Sequence, residues 1–483
     1  MSENDQLPYP SLRTDDPLVN RAYRIALGDL MGNIQPFQDG LLEEPQPVML
    51  AGLDYDTPWT RDAAINVWNG VGLIWPEVAR HTLLSVLERQ EGRLRIGGQY
   101  WDAMIWSLGA WAYYLYTGDR DFLALALEAV RNSLERFEAE EYDPDLGLFR
   151  GPAVYGDGVA AYPQRYSPGG TSSILDWVNF NPQKKAVRGY GIPMMSLSTN
   201  CVYYQSYRVA GWMAQELSPG SSPVHEQRAV ALRGNIRKHF WNPEQGTFRY
   251  LVDTEGGCDH QEGLGHSFAL MFDLADEGQA RSVLARQVIA PAGIPCVWPT
   301  YERYSQKGGY GRHSGTVWPF ISAFWGEAAL QHERPDLFEQ EFKTFGRHIN
   351  RHGQCAEIYH PLSGEVYGGL QEAGRGADGL EWDSCTRQSW TASAYLRMLL
   401  FGVAGLRFSS AGVSFQPCLP EGLGQVQLSA LPYRGGMLTL NLKGRGTRIR
   451  AFSVNGLSTE PFLPAPLQGE QRIEIELEQA NRS

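Results

Sequence analysis

Trp101–Glu141 reads "WDAMIWSLGAWAYYLYTGDRDFLALALEAVRNSLERFEAEE". Apolar residues return at three- and four-residue steps through two runs, which is the helical period. Gly118 and Asp119 stand between the runs and supply a stop and a start. The stretch is therefore expected to fold as a helix, a tight turn and a second helix. The unit recurs on both sides. "AAINVWNGVGLIWPEVARHTLLSVLERQ" precedes it, with Pro76 opening the second helix. "STNCVYYQSYRVAGWMAQEL" with "HEQRAVALRGNIRKHFW", "LGHSFALMFDLA" with "EGQARSVLARQVI", and "TVWPFISAFWGEAALQH" with "DLFEQEFKTFGRHINRH" follow it. "RQSWTASAYLRMLLFGVAGL" is a last helix. One hairpin after another implies a helical toroid. Such a ring leaves a funnel lined by the loops at the helix starts, and chemistry is expected there.

After about residue 405 the texture changes. "LRFSSAGVSFQPCLP", "VQLSALPY", "GGMLTLNLKG", "RIRAFSVNG" and "QRIEIELEQ" alternate apolar and polar residues between Gly, Pro and Asn breaks. That is the period of short antiparallel strands. The expected fold class is mainly α: an (α/α)6 toroid with a small C-terminal antiparallel β domain. Its expected parts are a lead-in segment over 1–50 that packs on the barrel, a barrel over 51–404 and a β-sandwich-like domain over 405–483.

The bulk composition narrows the function. Aromatics reach 12% of 483 residues, with 14 Trp and 23 Tyr, an excess that suits ligands with apolar faces and polar edges. Net charge is −12 with no basic block, which excludes the positive groove a nucleic-acid binder needs. No run approaches the roughly 18 apolar residues of a membrane span. "MSENDQLPYP" lacks a secretory pattern, and six scattered cysteines form no CxxC pair. A cytoplasmic, metal-free and cofactor-free protein is expected.

"GLDYDTPWTRDAAINVW", from Gly52, packs three aspartates, an arginine and two tryptophans into one helix start. Arg61 and Asp62 suit a bidentate ion pair or a grip on paired sugar hydroxyls. Trp59 offers a flat wall, and Asp54 or Asp56 suits ring hydroxyls. The plainer alternative is that Arg61 and Asp62 cap the helix while Trp59 fills the core. In "GGQYWDAMIW", Tyr100, Trp101 and Asp102 enter a helix behind two glycines. In "GGYGRHSGTVWP", Arg312 and His313 lie in a Gly-rich loop ahead of Trp318, without the Lys-[ST] ending of a phosphate loop.

These segments, with "ILDWVN", "AEIYHPLSGE" and "RQSWTASAYLRMLL", follow one another in the order of the six-hairpin glycosidases, which the chain resembles from about 50 to 405. The tail resembles the C-terminal β domain of that group. Glycoside hydrolase family 63, the amylo-α-1,6-glucosidase part of glycogen debranching enzymes and the α-L-rhamnosidases are similar in pattern. The debrancher "TWMDA" segment, matched to "ILDWVNF", implies Asp176 as general acid. The family 63 "ENYNP.TG" context ahead of "WSA", matched to "AEIYHPLSGE" ahead of "SWTASA", implies Glu357 as general base. The superfamily's "W.RD" segment implies sugar binding at Trp59, Arg61 and Asp62. The rhamnosidase glutamate four residues before its Trp falls on Tyr55, a departure from that pattern.

Cleaving an acetal takes one protonated and one ionised carboxyl, and a separation of about 6.5–9.5 Å leaves room for water and gives inversion. Asp176 follows Ile174 and Leu175 and precedes Trp177, apolar company that suits the proton donor. Glu357 stands beside Tyr359 and His360, which suits the base. Glu381 and Asp56 are reserve acids, a helix N-cap is the alternative role of Asp176, and Gln388 and Trp390 support the Glu357 loop. The implied activity is an inverting, exo-acting glycosidase on α-linked gluco-configured oligosaccharides or small glucosides. Its rivals are an α-L-rhamnosidase, a glycoside phosphorylase, an epimerase using His260, His266, His313 or His360, and a non-catalytic sugar-binding protein.

Overall fold

The computed structural model describes residues 8–167, 169–221, 223–373 and 380–478. Six helices form its centre: Thr60–Asn66, Trp106–Thr117, Leu197–Leu217, Gly263–Met271, Pro319–Gln331 and Ser389–Arg397. Each packs on the next, and the last packs back on the first, closing a ring. Their sequences explain the position. Every residue of Ser389–Arg397 and nearly every residue of Pro319–Gln331 is buried. Pro319–Gln331 is apolar on nearly every side and so needs cover on every side, whereas Ser389–Arg397 buries polar groups by pairing them, Ser393 with Asn66 and Arg397 with Asn69.

The outer helices are one-sided. Pro335–His352 buries Phe338, Phe342, Phe345 and Ile349 along one stripe and packs on Pro319–Gln331. Arg120–Glu140 does the same through Phe122, Ala126, Val130, Leu134 and Phe137. The turn ahead of it follows the expectation. Gly118 closes Trp106–Thr117 in the left-handed conformation at φ 76°, and the Asp119 side chain accepts from Phe122 N at 2.9 Å.

Two segments depart from the sequence reading. The helix from Pro76 ends at Leu84, and Leu87–Gln90 is instead a strand paired antiparallel with Arg93–Ile96. Glu91 and Gly92, at φ 53° and 76°, make the tight hairpin turn that the apolar periodicity concealed. Near the N-terminus, Pro17–Gly32 is a regular helix lying against Ser389–Arg397 and Pro335–His352. It is the outer partner of the last inner helix. Ser11–Thr14, just before it, pairs with Gln425–Tyr433, so this segment also joins the C-terminal sheet.

That sheet has six strands in the order Ser11–Thr14, Gln425–Tyr433, Gly436–Lys443, Gly469–Leu477, Ile449–Val454 and Leu457–Ser458. Alternate residues, among them Leu438, Leu440, Leu442, Ile473 and Ile475, face the core. The expectation of an all-antiparallel β region is corrected, because Gly436–Lys443 and Gly469–Leu477 run parallel. Period-two alternation reports which face is buried and carries no information on strand direction. Leu406–Ser409, Gly412–Phe415 and Phe462–Pro464 form a second, three-stranded sheet. Among the described residues no helix is long and apolar enough to cross a membrane.

Candidate active site

One cavity of about 250 Å3 opens where the loops at the starts of the inner helices converge. Its walls carry Trp59, Tyr155, Trp318, Trp382 and Trp390, and its acids are Asp62, Asp157 and Glu357. Two buried arginines organise it.

Arg61, in the first turn of Thr60–Asn66, spreads its guanidinium between loops. Nη1 donates to Gln99 Oε1 at 2.7 Å and to Asp102 Oδ2 at 2.9 Å, while Nη2 donates to Asp157 Oδ2 at 2.9 Å. The expected bidentate pair with Asp62 does not form, since Arg61 Nε stands 3.9 Å from Asp62 Oδ2. Adjacent residues on a helix point in different directions, so the fork of Arg61 reaches across the cavity instead. Trp59 precedes the helix at φ 41°, an unusual conformation for a bulky side chain, and stands 37% exposed beside the cavity.

Arg312 organises the opposite wall. Its Nη2 donates to Glu357 Oε2 at 2.7 Å, and its Nη1 donates to the carbonyls of Gly368 and Asp383. Glu357 is 2% exposed. It also accepts from Tyr55 Oη at 3.1 Å and from Cys385 N at 3.1 Å. Trp318 anchors this loop by donating Nε1 to the Arg312 carbonyl at 2.9 Å. Beside it, His313 stacks on the Trp318 ring at 5.0 Å.

The acids experience different fields. Burial holds Asp62 well above the ordinary aspartate value; Arg61 opposes this and Glu357 adds to it. Burial also raises Asp102, to about 6, against the pull of Arg61. Desolvation pushes Asp157 upward too, but the positive charges of Arg61 and Arg312 outweigh it and hold its carboxyl below the ordinary range. Burial takes His313 down to about 3 despite Asp157, so its imidazole is neutral near pH 7. The free site therefore favours the proton on Asp62 and the ionised form of Asp157, so Asp157 can act as an acid only through its protonated fraction.

Of the residues singled out from sequence, Trp59, Arg61, Asp62, Arg312, His313, Trp318, Glu357, Gln388 and Trp390 meet at this cavity. Asp176, expected as Glu357's partner, is not among the residues that line this cavity. Ser172 and Ser173 line the cavity, but the chain then turns into the short helix Ile174–Asp176, burying Ile174. The Asp176 carboxylate accepts from Thr171 Oγ1. Asp176 occupies the N-cap position of Trp177–Phe180 without making a side-chain capping bond. Trp177 likewise points elsewhere, donating Nε1 to the Arg165 carbonyl.

Asp54 and Asp56 are exposed outside the cavity, and Asp54 accepts from Thr386 N at 2.9 Å. Tyr100 stacks on Tyr190, Trp101 is fully buried, and Asp102 reaches the site only through Arg61. The reserve acid Glu381 lines a separate surface hollow with His360. Of the four histidines weighed for an epimerase only His313 lines the cavity. His260 lies against Cys258 and Tyr301, and His266 bonds Gln287 and the Phe248 carbonyl in the core. Among the described residues no group of three His, Cys, Asp or Glu is placed to hold a metal.

Sequence reasoning missed Gln99, Tyr155, Asp157, Ser172, Ser173, Gln371 and Trp382 as lining residues. Asp157 carried a signal: in "VYGDGVAAYP" an acid sits between two glycines ahead of an inner helix. Gly158 permits a close approach there. A Cβ at that position would run into Gln371 Oε1 and stand 2.8 Å from His313 Cε1.

Comparison with solved structures places this geometry in a known fold. A protein described as a sialidase superposes with a TM-score of 0.67 at 16% identity, covering 93% of this chain and 40% of its own. A GH78 rhamnosidase of Bacillus sp. GL1 superposes with a TM-score of 0.58 at 14% identity, covering 98% of this chain and 44% of its own. The chain thus spans less than half the length of these two proteins. The GH63 mannosylglycerate hydrolase of Thermus thermophilus, described in complex with glucose, superposes with a TM-score of 0.59 at 16% identity; 78% of this chain matches 100% of that one. No curated protein sequence matches. The likenesses establish the six-hairpin glycosidase fold. The family model for the mannosylglycerate hydrolase MGH1-like glycoside hydrolase domain matches residues 59–391, which carry nearly the whole cavity. This chain belongs to the MGH1-like glycoside hydrolase family.

Proposed function

We propose that the protein is an inverting, exo-acting hydrolase of α-linked, gluco-configured glycosides, with Glu357 as general base and Asp157 as general acid. The helical ring is read as an (α/α)6 toroid over 51–404, and 405–483 as its β domain. One observation carries the mechanism: Asp157 and Glu357 stand on different loops of one aromatic cavity, each bound to its own arginine. Asp157 has 37% of its side chain exposed, whereas the side chains of Asp62 and Glu357 are 3% and 2% exposed. It is therefore the acid best placed to meet a leaving-group oxygen. Glu357, held on three sides, is placed to orient and deprotonate a water.

The small volume suits one sugar unit rather than a stretch of polymer, which supports exo-action. The aromatic walls suit the faces of a pyranose. Asp62 and Gln388 supply polar groups for ring hydroxyls from the cavity floor. The solved mannosylglycerate hydrolase holds glucose, which favours the gluco configuration. The phenol of Tyr55 standing on Glu357 weighs against a rhamnosidase arrangement. Six buried, unpaired cysteines suit a cytoplasmic enzyme.

A specific second reading keeps the hydrolase and assigns the proton donor to Asp62, because burial raises that carboxyl well above the ordinary aspartate value and so favours its protonated form. Leaving groups separate the two. Loss of the true acid should slow alkyl glycosides far more than dinitrophenyl glycosides, so Asp157→Asn and Asp62→Asn are compared on both. Proton NMR of a single turnover tests inversion, and a first-formed product that retains the anomeric configuration defeats it. A substrate panel of glucosides, rhamnosides and mannosylglycerate, with and without phosphate, fixes the class. Turnover only on rhamnosides, or only with phosphate, would replace this proposal.

A further inference from the structure

Asp102 does not line the cavity, yet it is buried against the same guanidinium that holds Asp157. We infer that Asp102 is a positioning residue: by anchoring Arg61 Nη1 it aims Nη2 at Asp157, and by sharing the positive charge it lets Asp157 keep a transferable proton. This rests on Asp157 being the proton donor.

The geometry is a divided fork. Nη1 is taken by Asp102 and Gln99, and Nη2 meets Asp157 alone among the described residues. Asp102 is in turn held by Gln99 N, which donates to its Oδ1 at 3.1 Å, so the clamp belongs to the segment ahead of Trp106–Thr117. A guanidinium fixed at one end has little freedom to swing away from the other. Around Asp157 stand Arg61 and Asp62 from the first inner helix, Asp102 from the next segment and Tyr162 from its own loop. Arg312 and His313 face it from the Gly-rich loop. His313 is neutral over the working range, so Arg61 and Arg312 supply the positive field and Asp102 is the acid that balances Arg61 directly.

The sign follows from this balance. An ionised Asp102 offsets Arg61 and makes it easier for Asp157 to retain a proton, whereas a neutral Asp102 leaves Arg61 to hold Asp157 as the anion. With Asp102 raised to about 6, its charge is absent at pH 5 and present at pH 8. The two acids titrate as a coupled pair.

The test compares Asp102→Asn with the wild type at pH 5 and pH 8, on an alkyl and a dinitrophenyl α-glycoside of the sugar selected by the panel. At pH 5 the two proteins should have similar kcat/KM. At pH 8 Asp102→Asn should be slower by about tenfold on the alkyl glycoside, and by much less on the dinitrophenyl glycoside, which needs little protonation. Asp102→Glu restores the charge and should restore the pH 8 rate. A loss of equal size at both pH values, as from a structural defect, overturns the inference, as does failure of Asp102→Glu to rescue. Should Asp102→Asn not fold, Asp102→Ser, neutral and smaller, is read in its place. Asp157→Asn on the same substrates separates the premises: without leaving-group dependence in that variant, the donor assignment itself fails. With that dependence present and no pH-selective loss in Asp102→Asn, only the role of Asp102 fails.

Discussion

Tyr55 donates its phenolic hydrogen to Oε1 of Glu357 across 3.1 Å, while Arg312 donates to Oε2 across 2.7 Å. With the Cys385 N–H as a third donor to Oε2, the carboxylate is fixed in rotation from separate loops. The cost of that arrangement falls on Tyr55, whose ionisation the Glu357 charge and then burial push far upward. A phenol that keeps its proton is a dependable donor. Tyr55→Phe removes one of these three constraints, the one on Oε1, and leaves the two on Oε2 in place. It should lower kcat by roughly tenfold, the worth of one hydrogen bond to a charged group, with little change in KM. Steady-state kinetics measures this, and an unchanged kcat would remove Tyr55 from the positioning of the base.

Arg312 and Glu357 form a buried ion pair, so removing one partner strands the other. Arg312→Met should destabilise the protein by about 3–5 kcal/mol, as read from the urea midpoint. Two further losses accompany it, the bonds to the Gly368 and Asp383 carbonyls. A midpoint close to the wild type would mean that water reaches Glu357.

The lowered Asp157 carboxyl fixes a direction for the pH profile. If its protonated form delivers the proton, kcat/KM on an alkyl glycoside should fall as pH rises from 5 to 8, because the free enzyme holds ever less of that form. Asp157→Asn should remove this slope and cost about a thousandfold at pH 5. A profile that rises with pH would contradict the role.

Glu262, at the start of Gly263–Met271, is fully buried and raised by burial to about 8 from 4.5, with Ser198 N donating to it at 3.0 Å. Its folded value lies above its unfolded one. Between pH 4.5 and 8 the folded state keeps a proton that the unfolded state has released, so stability declines as pH rises through that window. The slope is about 1.4 kcal/mol per pH unit. Glu262→Gln is neutral throughout and should gain on the wild type from pH 5 to pH 8 in urea melts. A constant difference across that range would show that Glu262 ionises freely in the fold.

Gly158→Ala tests the tightness of the wall between Asp157 and His313. The added methyl collides with Gln371 and the imidazole, so kcat/KM should drop by tenfold or more, roughly the cost of displacing a reacting group, with the fold retained in circular dichroism. Wild-type kinetics would mean that the loop yields freely.

Helices were legible in the sequence wherever burial was complete or one-sided. The hairpin through Gly118 and Asp119 is a local matter, since a left-handed glycine and a capping aspartate act within four residues. Glu357 and the Arg312 loop were legible for a related reason: each belongs to a compact motif whose neighbours lie nearby in the chain. The strand at Leu87–Gln90 was hidden because apolar spacing alone does not reveal a two-residue turn.

The amino-acid order by itself determined the helical pairs, the strand-rich tail, the family, and Asp62 and Glu357 as acids of the cavity. Only the tertiary structure decided that Asp157 rather than Asp176 joins them there. Asp157 and Asp176 lie on one loop, and both are aspartates ahead of the same inner helix. Arg61 draws Asp157 inward, while the turn at Ile174–Asp176 carries Asp176 out. Likewise, the partner of Arg61 is Asp102 and not its neighbour Asp62. Such choices depend on where long side chains from separate helices meet, a three-dimensional condition that no spacing along the chain encodes.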